Sequence, residues 1–155
     1  YEICLSDWSS DVCSSDLELN VKWDEIEEIL KELGKDVRLA REGVNHWSVK
    51  EGSARIKITY NAENFFIAGD AYLCQMPSDP AKIKALYQYL LQENFRTRGL
   101  VLSCMQQNIV LSRIIYDLDM TRENGAAAFR ELFQQADHYD DYLKHEFGCV
   151  DRLEE

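Results

Sequence analysis

An α+β domain, an antiparallel sheet with three helices gathered on one side, is what this sequence of 155 residues predicts. Three observations predict it. Apolar residues recur at helical spacing in three stretches, they alternate or run together as strands do between those stretches, and turn formers mark each change of period. The resulting order is a helix, three strands, a helix, two or three strands and a closing helix.

From Val21 onward, Ile26, Ile29, Leu30 and Leu33 fall at helical spacing, and Gly34 is placed to end the helix as a left-handed cap. The stretch VRLAREGVNHWSVKEGSARIKITYN follows. In it Ile56, Ile58 and Tyr60 alternate with Arg55, Lys57 and Thr59, the pattern of a half-buried strand, and residues 50–53 form its turn. FFIAGDAYLCQMP supplies the next strand; Gly69 marks a bulge or a close backbone approach, and Pro77 ends the run. In SDPAKIKALYQYLLQENF, Asp79 can cap and Pro80 can take the first helical position, which puts Ile83, Leu86, Tyr87, Leu90 and Leu91 on one face. GLVLSCMQQNIVLSRIIYDLD reads as a hairpin joined through Gln106, Gln107 and Asn108. Thr121 caps a long last helix whose apolar positions Phe129, Leu132, Phe133, Ala136, Leu143 and Phe147 keep a period near 3.6, and Gly148 stops it.

The first 17 residues, YEICLSDWSSDVCSSDL, fit none of this. They hold no Lys or Arg, and they lack the basic start and apolar middle of a signal peptide. Translated backwards, they match the end of a short-read sequencing adapter together with its index. Residues 1–17 are therefore expected to be a non-native scar without a fold of its own, and residues 18–155 a single domain.

The chain has a formal net charge of −11; with Glu2, Asp7, Asp11 and Asp16 set aside, 24 acids face 17 bases. Such a balance argues against a nucleic-acid surface, which needs a positive field. Outside the scar, Cys74, Cys104 and Cys149 are widely spaced with no CxxC pair. Buried thiols in a reducing compartment are expected, not a disulfide frame or a zinc site. No apolar run is long enough to span a bilayer, so a cytoplasmic protein is expected.

The search for chemistry assigns no catalytic, cofactor-binding or metal residues. His145 and Cys149 stand four apart, but two ligands make a weak site. Asp117, Asp119 and Glu123 precede or open a helix, where the helix dipole favours acids. His138, Asp140 and Asp141 fan out across the polar side of the last helix and are expected to be solvated. No Gly-rich phosphate loop, GxSxG elbow or dinucleotide motif occurs, so an enzyme is not expected. Surface aromatics remain. Tyr89 and Tyr142 lie off the apolar stripes of their helices, and with nearby Phe95 they are the candidates for partner or dimer contact. Arg55, Lys57 and Arg113 are expected to keep an open sheet face soluble.

The wording ALYQYLLQEN after a Pro-terminated strand, a hairpin ending NIVLSRIIYDLDMT, and a closing AFRELFQQADHYDDYLKHEFG resembles the YbjN-like family, which shares the fold of the type III secretion chaperones. The resemblance covers nearly all of residues 21–147. It implies a small cytoplasmic, usually dimeric, protein-binding domain with no catalytic centre, chaperone-like or adaptor in role. The alternative it implies is a stress-linked regulatory protein of the YbjN-like branch with no secretion role. A small enzyme of unknown type is the third reading, supported by no motif.

Overall fold

The structure, a computed structural model, describes residues 22–116 and 120–152. Residues 1–17, and Asp117 and Asp119, lie outside the described residues.

Helix α1 runs through residues 22–32, with Ile26, Ile29 and Leu30 fully buried on one face. It ends as the spacing predicts: Gly34 takes φ 77°, its N–H donates to Lys31 O, and Lys35 N–H donates to Leu30 O. This pair of bonds satisfies carbonyls that a helix end otherwise leaves open. The stretch VRLA, to which the sequence reading assigns no element, forms a single helical turn, α2 (Val37–Ala40). Asp36 decides this, because its carboxylate accepts from Arg38 N–H at 3.0 Å and caps the turn. The helix count among the described residues is thus four instead of three.

Four strands follow where three were expected, the additional one being the short β1 (Arg41–Gly43). Then come β2 (His46–Glu51), β3 (Ala54–Asn61) and β4 (Phe66–Gln75), helix α3 (Pro80–Arg96), the hairpin β5 (Leu100–Met105) and β6 (Asn108–Tyr116), and helix α4 (Arg122–Phe147). All strand pairs are antiparallel, and the sheet order is β1-β2-β3-β4-β6-β5. The fold class read from the sequence is the one observed.

Helix α4 lies across the centre of the sheet. A side chain at Gly69 would place its Cβ 2.6 Å from Leu132 Cδ2 and 3.3 Å from Phe129 Cε1, so this glycine is a point of close approach. Ile56, Ile58, Ile67, Ala71 and Leu111 point to the same side and close the core beneath the helix. Both ends of α4 form as expected, with Thr121 Oγ1 accepting from Asn124 N–H at 3.1 Å and Gly148 left-handed at φ 68°. Among the described residues no helix lies on the opposite face of the sheet. There Arg55 and Lys57 are exposed, as expected, whereas Arg113 belongs to the covered side and pairs with Glu131 of α4 at 3.4 Å. Register explains the correction: Arg113 stands opposite Gly69, directly under α4.

Candidate protein-binding surface

Helix α3 begins as predicted, with Asp79 accepting from Ala81 N–H at 2.9 Å and Pro80 in its first turn. Its apolar face divides differently from the expected stripe. Leu86 and Leu90 are buried, but Tyr87 is 44% and Leu91 72% exposed. The helix packs at one end of the sheet against β5 and α4, so only a narrow strip of it is covered. Tyr87, Leu91 and Phe95, each four residues from the next, therefore form a line along the outer side, with Phe95 91% exposed.

The three residues singled out from the sequence do not act alike. Tyr89 packs inward, its ring 5.2 Å from that of Tyr142 and 5.1 Å from that of Phe147. Burial, followed by the charge of Glu93, pushes its hydroxyl above the ordinary tyrosine value. Tyr142 forms the rim of this cluster, and His138 stacks on it with ring centroids 6.3 Å apart. Tyr139 adds a polar tie, its hydroxyl donating to Glu93 Oε2 at 2.9 Å, and burial with that bond pushes it up to about 12. Tyr89 and Tyr142 thus join α3 to α4, and Phe95 stands apart from them on the outer line. Tyr87 and Leu91 were missed because they also fit the stripe of Leu86 and Leu90; the signal that finds them is their spacing with Phe95.

The helix-free sheet face supplies a second apolar area. Val101, Met105, Ile114 and Tyr116 are each at least half exposed. Along the same face Ser112 Oγ donates to Asp70 Oδ1 at 2.6 Å, and Lys57 Nζ and Arg152 approach the Tyr72 ring at 5.5 and 4.9 Å. The face is therefore basic on β3 and apolar on β5 and β6. The outer edge of β5 is partly closed, since Asn94 Nδ2 donates to Leu102 O at 2.9 Å and Leu102 N–H donates to Asn94 Oδ1 at 2.7 Å. A side-chain amide there takes the place of a neighbouring strand.

The polar residues singled out from the sequence fall in different surroundings. Asp140, expected in solvent, is 1% exposed. Its Oδ2 accepts from Ser53 Oγ and from Lys144 Nζ, the latter at 2.8 Å, which fastens the β2–β3 turn to α4. Burial lowers the Lys144 pKa, but Asp140 and Asp151 more than offset it, so the amine is held above its ordinary value and charged. Lys144 Nζ also donates to Ser53 Oγ at 3.0 Å and pairs with Asp151, so this Ser–Lys–Asp group ties the β2–β3 turn and the segment after α4 to the helix. His145 is exposed beside Glu146, whereas Cys149 is buried. Among the described residues no three His, Cys, Asp or Glu side chains gather as metal ligands, and no helix is long and apolar enough to cross a membrane.

This arrangement, with helices on one face of the sheet and apolar residues left on the other, matches the type III secretion chaperone-like fold. The chaperone–effector complex of SchA with HopA1 contains a chain that matches with a TM-score of 0.62 at 8% identity, over 81% of this chain and 97% of that one. A structure of the Yersinia pestis type III secretion chaperone SycH in complex with a stable fragment of YscM2 matches at 0.54 with 15% identity, over 74% of this chain and 96% of that one. YbjN of E. coli has the same fold, at a TM-score of 0.59 and 14% identity over 83% of this chain and 94% of that one. No known family model and no curated protein sequence matches the chain.

Proposed function

We propose that this domain is a non-catalytic protein-binding module, chaperone-like or adaptor in role, that acts as a homodimer on protein segments. The observation that carries the reading is the outer line Tyr87, Leu91 and Phe95 of α3. Three large apolar side chains in line on one helix form a patch, and patches of that kind on soluble domains mark contact sites. A helix presents such a line to its own copy across a twofold axis without any change of register. The second area, Val101, Met105, Ile114 and Tyr116 beside basic Arg55 and Lys57, suits an extended segment that brings apolar and acidic side chains together. Support from likeness is of one kind: SchA and SycH are described with protein partners bound.

The alternative, a regulatory protein of the YbjN-like branch without a secretion role, rests on the fold it shares with YbjN. A secretion operon beside the gene would favour the export chaperone, and a different neighbourhood the regulator. Light scattering across a concentration series tests the reading common to both. A dimer at micromolar concentration is expected, together with recovery of a protein partner whose binding Ile114→Glu abolishes. A chain that remains monomeric at high micromolar concentration would remove the dimer reading, and partner recovery unaffected by Ile114→Glu would remove the open face as the binding surface.

A further inference from the structure

Cys74 at the end of β4 and Cys149 just past α4 come from distant parts of the chain and are buried side by side. After Gly148 the chain turns back along β4: Gln75 N–H donates to Val150 O at 2.9 Å, and Val150 N–H donates to Gln75 O at 3.1 Å. Residues that precede the two members of an antiparallel bridge point to the same face as diagonal neighbours, Cys74 standing opposite Asp151, so the bridge sets the two cysteines near one another on the inner side. A register shift between Tyr72 and Gln75 assists, because it breaks the alternation of β4 and leaves both Leu73 and Cys74 inside. The exposures are 0% for Cys74 and 6% for Cys149, and Cys104 on β5 is exposed.

The two thiols interact directly. Their hydrogen bond, with burial adding to it, pushes Cys74 up, while the same bond draws Cys149 down against the effect of burial. Cys149 is also the less deeply buried of the two, so it is the thiol a peroxide meets first. Beyond the bridge, the tail is held by the ion pair of Lys144 with Asp151 and by Arg152 over the Tyr72 ring.

We propose that Cys74 and Cys149 are a dithiol modification site that a hydroperoxide closes into a disulfide, fastening the C-terminal tail to the end of β4. The Cys149 thiolate attacks the peroxide, the O–O bond breaks, and Cys149 becomes a sulfenic acid while the departing oxygen takes up the proton Cys149 released. Cys74 sulfur then attacks Cys149 sulfur. The sulfenic oxygen leaves as water with the Cys74 proton, so two thiols and one hydroperoxide give one disulfide, one alcohol or water from the peroxide, and one further water. Two electrons pass from the thiols to the peroxide.

Tryptic peptides separate the three thiols, with Cys74 in 58–82, Cys104 in 99–113 and Cys149 in 145–152. The folded full chain is treated with hydrogen peroxide, alkylated and digested without reduction. The expected product is peptide 58–82 joined to 145–152 with the loss of two hydrogens, reversed by dithiothreitol and absent from Cys149→Ala. Hydrogen exchange at the Val150 amide is expected to slow on oxidation. Recovery of both peptides alkylated would overturn the proposal, as would an unpaired Cys149 sulfinic acid or pairing of either cysteine with Cys104, Cys4 or Cys13. Unchanged Val150 exchange in the cross-linked chain would overturn the fastening of the tail.

Discussion

Leu91→Glu is expected to dissociate the dimer without unfolding the monomer. Leu91 is 72% exposed at the centre of the line from Tyr87 to Phe95. Burying a leucine against a partner contributes roughly 1.5–3 kcal/mol. A twofold dimer buries two copies, so the substitution removes roughly 3–6 kcal/mol, and at about 1.4 kcal/mol per tenfold the dissociation constant rises ~10²- to 10⁴-fold. Placing two carboxylates within the contact adds to the loss. The monomer is not expected to notice, because an exposed helix position falls within about 0.5 kcal/mol for an ordinary surface change and Glu is a good helix former. Light scattering over a dilution series gives the dissociation constant, and urea titration gives the monomer's stability. An unchanged dissociation constant with intact stability would refute the assignment of the α3 line as the contact. A large loss of monomer stability would refute its placement outside the core.

Neighbouring Leu90 provides the contrast: Leu90→Ala is expected to cost ~2–5 kcal/mol in denaturant titration, against about 0.5 kcal/mol or less for Leu91→Ala. Gly69→Ala is expected to cost roughly 1–3 kcal/mol, because its new Cβ must displace the packed side chain of Leu132; a neutral result would mean that α4 does not lie as close as described. Lys144→Met strands the buried Asp140 carboxylate and is expected to cost roughly 3 kcal/mol near neutral pH. The sign with pH follows from the raised Lys144 pKa: its stabilisation is fully present below the unfolded value and lost as pH rises through the folded one, so the gap between wild type and Lys144→Met should close in alkaline solution. A gap independent of pH would count against the ion pair. Deleting residues 1–17 is expected to leave the thermal midpoint unchanged, and a drop of several degrees would show that this segment packs on the domain.

Legibility in the sequence followed the range of the interactions involved. Helix ends were readable because a cap is a local bond: Asp79, Thr121, Gly34 and Gly148 each act within a few residues, and each does what its chemistry predicts. The turn at VRLA leaves no signal in the pattern, because Asp36 captures a single turn too short to show a period. Asp140 was placed in solvent since its helical position is polar, yet the β2–β3 turn, distant in sequence, brings Ser53 against it.

The order of the longer elements, the class of fold and the face of α4 that enters the core are legible in the sequence alone, because periodicity and capping are written in neighbouring residues, whereas the short α2 and β1 are not. Which part of the α3 apolar surface is left outside was decided only by the tertiary structure. Tyr87, Leu90 and Leu91 all fit one apolar stripe to any local reading; the positions of β5 and α4 alone bury Leu90 and leave the other two exposed. The placement of Cys74 near Cys149 is of the same kind, since it depends on a two-bond bridge between segments that share no local pattern. Burial is a property of what a chain folds against, and for a surface strip that information resides in contacts distant along the sequence.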